Sequence, residues 1–200
     1  MKVGLATPLV AAALWLGCAA GPAPQDHFYR IQLPPPSRTG EAPLLEGALE
    51  VQRLRADALT DERAVLYRGE GSAELLQSSY HFWVDPPTAM LQNGIVRWLR
   101  DANVAERVVT PALRVDASHR LAGRLLRLER VVGGGDARIE LELELALSGG
   151  SSRAILLLES YREERTVESN SVGAAADAFG DALGAVLESF VADLERLESR

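Results

Sequence analysis

The chain is poor in the residues that most protein chemistry relies on. Its 200 residues hold one cysteine, one lysine and three histidines. A single cysteine excludes an internal disulfide, whatever the redox compartment. His27, His81 and His119 lie far apart in the chain, and none has a partner at metal-ligand spacing, so neither a metal nor a cofactor is expected. Positive charge is carried almost wholly by arginine, scattered among 28 acidic residues for a net charge of −7. Without a basic run the chain is a poor nucleic-acid binder, because neutralising phosphates needs clustered Lys or Arg. A long apolar run is missing too. The uncharged stretch from Val3 to Gly17 is 15 residues, short of the roughly 20 that span a bilayer.

What is present at the N-terminus has a different meaning. Lys2, the apolar run and small residues at its end read as a secretory signal. Trp15-Leu16-Gly17-Cys18 resembles the site at which bacterial lipoproteins are cut, usually Leu-Ala/Ser-Gly/Ala-Cys, with Trp15 in place of the usual Leu. Cys18 is therefore expected to become the acylated first residue. The alternative is a buried, inert core cysteine. Its place beside the Gly/Ala/Pro stretch AAGPAP argues against that. Residues 1–17 are then a signal peptide and 18–27 a flexible tether, able to extend about 30 Å at roughly 3.3 Å per residue. Residues 28–200 are one domain by length.

Strand patterns occur at FYRIQL (28–33), LEVQRLR (49–55) and AVLYR (64–68). ELLQSSYHFWV (74–84) supplies one further strand or two short ones, and PPPSRTGEAP (34–43) reads as a surface loop. At Asp85-Pro86 the period changes, with Asp85 as N-cap and Pro86 as first helical residue. Leu91, Ile95, Trp98, Leu99 and Ala102 then form one apolar helical stripe. VAERVVTP reads as a short strand and turn. RLAGRLLRLERVV and DARIELELELAL flank Gly133-Gly134-Gly135 as a hairpin. A two-residue turn at Gly133-Gly134 predicts Leu128 opposite Ile139, with Glu129 opposite Arg138 and Arg127 opposite Glu140. Arg124 opposite Leu143 breaks that pattern and suggests a bulge. AILLLESYREERTV (154–167), apolar on both faces at its start, is expected centrally under helices. A long final helix carries Val172, Ala176, Phe179, Leu183, Val186, Phe190, Leu194 and Leu197 on one stripe. Gly180 and Gly184 on it would admit another backbone closely. The fold class expected is α/β: a mixed β-sheet sandwiched by helices, single domain, with a long C-terminal helix.

No catalytic constellation is legible. Glu140, Glu142 and Glu144 alternate with leucine and read as one solvated strand face. A glycosidase-type carboxylate pair has nothing to single it out. Gly133 to Gly135 lacks the GxxxxGK[ST] or GxGxxG context of a phosphate cradle, GGSSR (149–153) is a turn, and no GxSxG occurs. The distinctive surface candidate is YHFWVDPP (80–87). Tyr80, Phe82 and Trp83 either close the core over the helix or stand out as anchors for a partner.

The order of YRIQLP, LEVQRLRADALTDERAVLYR, YHFWVDPPTAMLQNGIVRWLR, LAGRLLRLER, LELELAL, SYREERTV and a long terminal helix resembles the ABC-type transport auxiliary lipoproteins, the family of the paraquat-inducible protein C. The resemblance covers nearly all of the mature chain and rests on the order of these segments. It implies a periplasmic domain anchored to the outer membrane. It further implies ABC transporter and MCE-domain partners that move lipid across the envelope, and assembly into a homo-oligomeric ring. Two function classes follow: a non-enzymatic docking or conduit component, and an exported enzyme such as an envelope hydrolase. For the first, Tyr80, Phe82, Trp83, Gly180 and Gly184 are the candidate contact residues.

Overall fold

The computed structural model describes residues 23–40, 42–149 and 154–198. Eight strands form one mixed sheet: β1 (His27–Tyr29), β2 (Leu45–Val51), β3 (Ala64–Gly69), β4 (Leu76–Trp83), β5 (Ala105–Val109), β6 (His119–Val132), β7 (Ala137–Gly149) and β8 (Ala154–Val167). Two helices accompany it, α1 (Pro87–Asp101) and α2 (Val172–Glu198). This is the α/β class, mixed sheet and long terminal helix read from the sequence.

β6 is the spine. One edge pairs antiparallel with β7 along its whole length. The other is shared: its first residues run parallel to β2, from Leu49↔His119 to Val51↔Leu121, and its last run parallel to β3, from Leu66↔Glu129 to Gly69↔Val132. β2 carries β5 in parallel; β3 carries β4 antiparallel, and β4 carries β1 in parallel. Val51 aligns with Leu121, and Leu121 with Leu147, on the face where α2 covers Leu143 and Leu145. α1 packs on β2 and β5 and its stripe joins the same apolar cluster, so both helices lie on one face. On α2 the expected stripe is buried, apart from half-buried Leu197. A fully buried Leu or Phe there contributes about 1.5–3 kcal/mol.

The β6–β7 hairpin forms, but its turn is longer than expected. Gly133 to Asp136 make a four-residue loop, and the three glycines all adopt positive φ (97°, 75° and 132°), a region that side chains disfavour. The longer loop moves the register by two residues. Leu128 faces Leu141 and Glu129 faces Glu140, in place of the predicted Ile139 and Arg138, and Arg127 faces Glu142 rather than Glu140. A shift of two keeps every side chain on its face. The suspected bulge is present: the register slips between Leu125 and Arg127, and Arg124 then faces Glu144.

Other boundaries also moved. β1 takes in His27, which the sequence assigned to the tether, and ends at Tyr29. Residues 31 to 34 leave the sheet because Gln32 and Pro34 lie against α2 at Gly180 and Gly184. β2 starts at Leu45, and beyond Val51 the chain still follows β6 through Gln52 N–H to Leu121 O (2.8 Å) and Arg55 N–H to Gly123 O (2.9 Å). Segment 74–84 yields the single strand β4. α1 begins one residue late: Pro86 is its cap, Pro87 its first residue, and no side chain caps it.

The largest departure is β8. It is an edge strand paired only with β7, not a central one. Ile155 and Leu158 are 66% and 52% exposed. Apolarity on both faces signalled burial, but among the described residues the sheet ends there and no helix covers its outer face.

Candidate functional site

The aromatic segment sits where β4 meets β1. Parallel pairing puts Phe28 beside Phe82, with ring centroids 5.9 Å apart, and stacks His27 on His81 at 5.1 Å. The Tyr29 hydroxyl lies 2.8 Å from His81 Nδ1. Burial, then His27 and then Arg130, hold His81 below the ordinary imidazole range, so the neutral ring is favoured, and its tautomer sets which of Nδ1 and the Tyr29 hydroxyl donates. Burial correspondingly raises the Tyr29 phenol. The Arg63 guanidinium stands 5.5 Å from the centre of the Phe28 ring, while its Nε donates to Trp83 O at 3.0 Å. Such a cation over a partly exposed ring adds about 0.5–1 kcal/mol.

The three aromatic candidates divide. Trp83 is buried edge-to-face on Phe179 of α2, at 5.8 Å, so it closes the core. Phe82 is half-buried, and Tyr80 is 45% exposed. Phe28, which the sequence analysis did not single out, is 55% exposed. The close approach anticipated at Gly180 and Gly184 is made by the chain itself. A Cβ at Gly180 would overlap the Gln32 carbonyl, and one at Gly184 would stand 2.7 Å from Pro34 Cγ. Both glycines are buried under residues 32–34 and offer no open contact surface.

Behind the aromatic edge lies a shallow cavity of about 430 Å³, rimmed by Ser78, Ser79, Tyr80 and His81 with Arg130 and Asn170 opposite. Its origin is the β3–β4 register. Between the pairs Leu66↔Gln77 and Ala64↔Phe82, β4 takes five steps while β3 takes two, so the extra β4 residues form a bulge there. Sequence reasoning missed Arg130 because nothing local distinguishes it from the other arginines of β6. It missed the His27–His81 pair because parallel β1–β4 pairing leaves no trace in spacing.

On the opposite face of the sheet, Glu140 is 1% exposed. Four arginines surround it: Arg68 Nη2 at 2.5 Å, Arg138 Nη2 at 3.3 Å, Arg162 Nη2 at 3.4 Å and Arg127 Nη1 at 3.5 Å. Arg68 also donates to Glu129 (2.8 Å), and Arg127 to Glu142 (3.0 Å). The hydrogen bond from Arg68 to Glu129, and that from Arg138 to Glu70, raise both guanidinium pKa values. The expected solvated acidic face is thus roofed by arginines from β3, β6, β7 and β8. Every close partner of Glu140 is a cation, so this arrangement holds strands together rather than poising a general acid.

A family model, the ABC-type transport auxiliary lipoprotein component, matches residues 29–191. The chain belongs to this family. A search of curated proteins finds no relative. Among solved structures, a Xanthomonas campestris protein of the DUF330 family superposes with a TM-score of 0.72 at 22% identity, over 82% of this chain and 91% of that one. An uncharacterised protein superposes with a TM-score of 0.61 at 13% identity, over 86% and 97%. These two share the fold.

Membership makes the protein an auxiliary lipoprotein component of ABC-type transport. The residue expected to carry lipid, Cys18, and the GGSSR turn beyond Gly149 lie outside the described residues. Among the described residues no three His, Cys, Asp or Glu side chains gather to hold a metal, and no helix is long and apolar enough to cross a membrane.

Proposed function

We propose that the protein is an outer-membrane lipoprotein on the periplasmic face, a non-enzymatic docking or conduit component of an ABC/MCE-type system that moves lipid between membranes. Signal removal before Cys18 and acylation of that residue would leave the residues from Cys18 up to β1 as a tether, which raises the domain's effective concentration for a partner near the membrane. The observation that carries the reading is the family match over residues 29–191.

Two exposed features suit a protein partner. One is the aromatic edge of exposed Phe28 and Tyr80, with half-buried Phe82 beside Phe28. The other is β8, a 14-residue edge strand with Ile155, Leu156 and Leu158 exposed. Open strand edges of this kind pair with further chains, a transporter component or a second copy in a ring. No observation favours the exported hydrolase.

Changing Cys18 to Ser should release the protein from the membrane fraction and impair transport, with the domain still folded. Photocrosslinkers at Tyr80 and Ile155 in cells should capture an MCE-domain or other transporter component. The proposal fails if neither position captures one and deletion leaves envelope lipid composition unchanged.

A further inference from the structure

Arg130 stands apart from the other arginines of the sheet. It is 7% exposed, on the helix-covered face between Tyr67 of β3 and Ile139 of β7. Arg68, Arg127, Arg138 and Arg162 all pair with carboxylates. The hydrogen bonds of Arg130 among the described residues are two, both from Nη2, to Asn170 O (2.9 Å) and Asn170 Oδ1 (3.0 Å). Burial lowers its pKa, and the only opposing influence comes from Tyr29, with no Asp or Glu contributing. Its Nε and Nη1 make no hydrogen bond among the described residues and are not enclosed, so they open onto the cavity. A guanidinium so placed ordinarily faces a carboxylate or a phosphate, and the chain supplies no carboxylate here although it has 28 acidic residues.

The cavity in front of Arg130 supplies the missing partner's seat. We propose that the cavity under the β4 bulge binds a phosphate anion, with Arg130 as its charge partner and Ser78, Ser79 and His81 as its hydrogen-bonding rim. With His81 Nδ1 bonded to the Tyr29 hydroxyl, Nε2 is the ring nitrogen left for the anion, a donor in the tautomer that carries its proton there. The serine hydroxyls add two more. A tetrahedral anion has enough acceptor oxygens to use guanidinium, imidazole and hydroxyls together, and the site's volume of about 430 Å³ has room for a headgroup around it. The larger cavity, about 510 Å³ between Arg55 and Arg124, does not compete: both arginines there are exposed and solvated. The ligand is either free phosphate or the phosphodiester of a lipid headgroup. The site stands on the cavity alone and survives failure of the docking proposal.

The full chain, carried in phosphate-free detergent micelles, is titrated into the millimolar range with inorganic phosphate, glycerophosphoglycerol and acetate. Backbone amide NMR shifts are followed at Ser78, Ser79, His81 and Asn170. Saturable shifts with phosphate alone assign a free-phosphate site. Saturable shifts with the diester assign a headgroup site. Arg130→Gln should weaken binding about tenfold or more, and Arg130→Lys less. Ser79 is exposed, so Ser79→Asp should fold normally and still weaken binding by placing a carboxylate at the rim, which decides the matter if Arg130→Gln does not fold. The proposal is overturned by absence of saturable shifts, by acetate binding as tightly as phosphate, or by unchanged affinity in folded Ser79→Asp.

Discussion

Replacing Gly180 with Ala sets two effects of opposite sign against each other. Gly180 lies inside the 27-residue helix α2, where exchanging Gly for Ala ordinarily gains about 1 kcal/mol. The structure opposes that gain. The new Cβ would overlap the Gln32 carbonyl oxygen and stand 3.0 Å from its carbon. These are backbone atoms, so no rotamer change relieves the clash and the whole 31–34 segment must retreat from α2. That segment carries buried Ile31, and Leu33, whose Cδ1 already lies 3.0 Å from a Cβ built at Gly94. Overpacking costs about 1–3 kcal/mol, and partial exposure of Ile31 adds about 1–2 kcal/mol from the ~1.5–3 of full burial. After the helical gain the net loss is about 1–4 kcal/mol. Gly173→Ala is the control, since its Cβ would make an ordinary contact, 3.8 Å from Tyr29 Cε1. Urea unfolding of both variants reads the difference as a lower midpoint at unchanged slope for Gly180→Ala only. If Gly180→Ala matches or exceeds the parent's stability, the tight seating of residues 31–34 on α2 is wrong.

Glu140→Gln leaves four arginines around a neutral group. It should cost about 2–3 kcal/mol in urea unfolding, less than the ~3–5 of a fully buried pair because Arg127 and Arg162 keep contact with water. Tyr161→Phe removes the 2.7 Å hydrogen bond from the phenol to Asp193 Oδ2 that ties β8 to α2, with an expected loss of about 1–2 kcal/mol in thermal unfolding. Burial, and next the bond to Asp193, raise that phenol above its ordinary range, so the tie persists into alkaline solution. His81 gives a pH dependence. Its folded pKa lies below the ordinary imidazole value of about 6.5, so well above that pH the ring is neutral in both states and contributes nothing. As pH falls below it the unfolded chain takes up the proton first and stability is lost, levelling off below the folded pKa. His81→Asn should flatten this acid-side slope of unfolding free energy against pH.

What the sequence determined by itself was local. The stripe of α1 and that of α2 repeat at helical spacing, and every such position contacts or enters the core because periodicity alone decides which side of a helix is apolar. Alternation in LELELAL assigned Leu141, Leu143 and Leu145 to the core face, and a register error of two could not disturb it. The Arg124 mismatch even announced a bulge. Tertiary structure decided what alternation cannot encode. Three glycines allow either a two- or a four-residue turn, so the strand pairing around Glu140 had to come from the assembled sheet. A run that is apolar on both faces reads the same in a central strand and at an open edge, and β8 turned out to be the edge. Gly180 and Gly184 signalled a close approach without naming its source, which proved to be residues 32–34. The cavity at Arg130 joins β4, β6 and the start of α2. Segments so distant in the chain share no local periodicity, so only folding could bring a buried arginine, two serines and a histidine to one place.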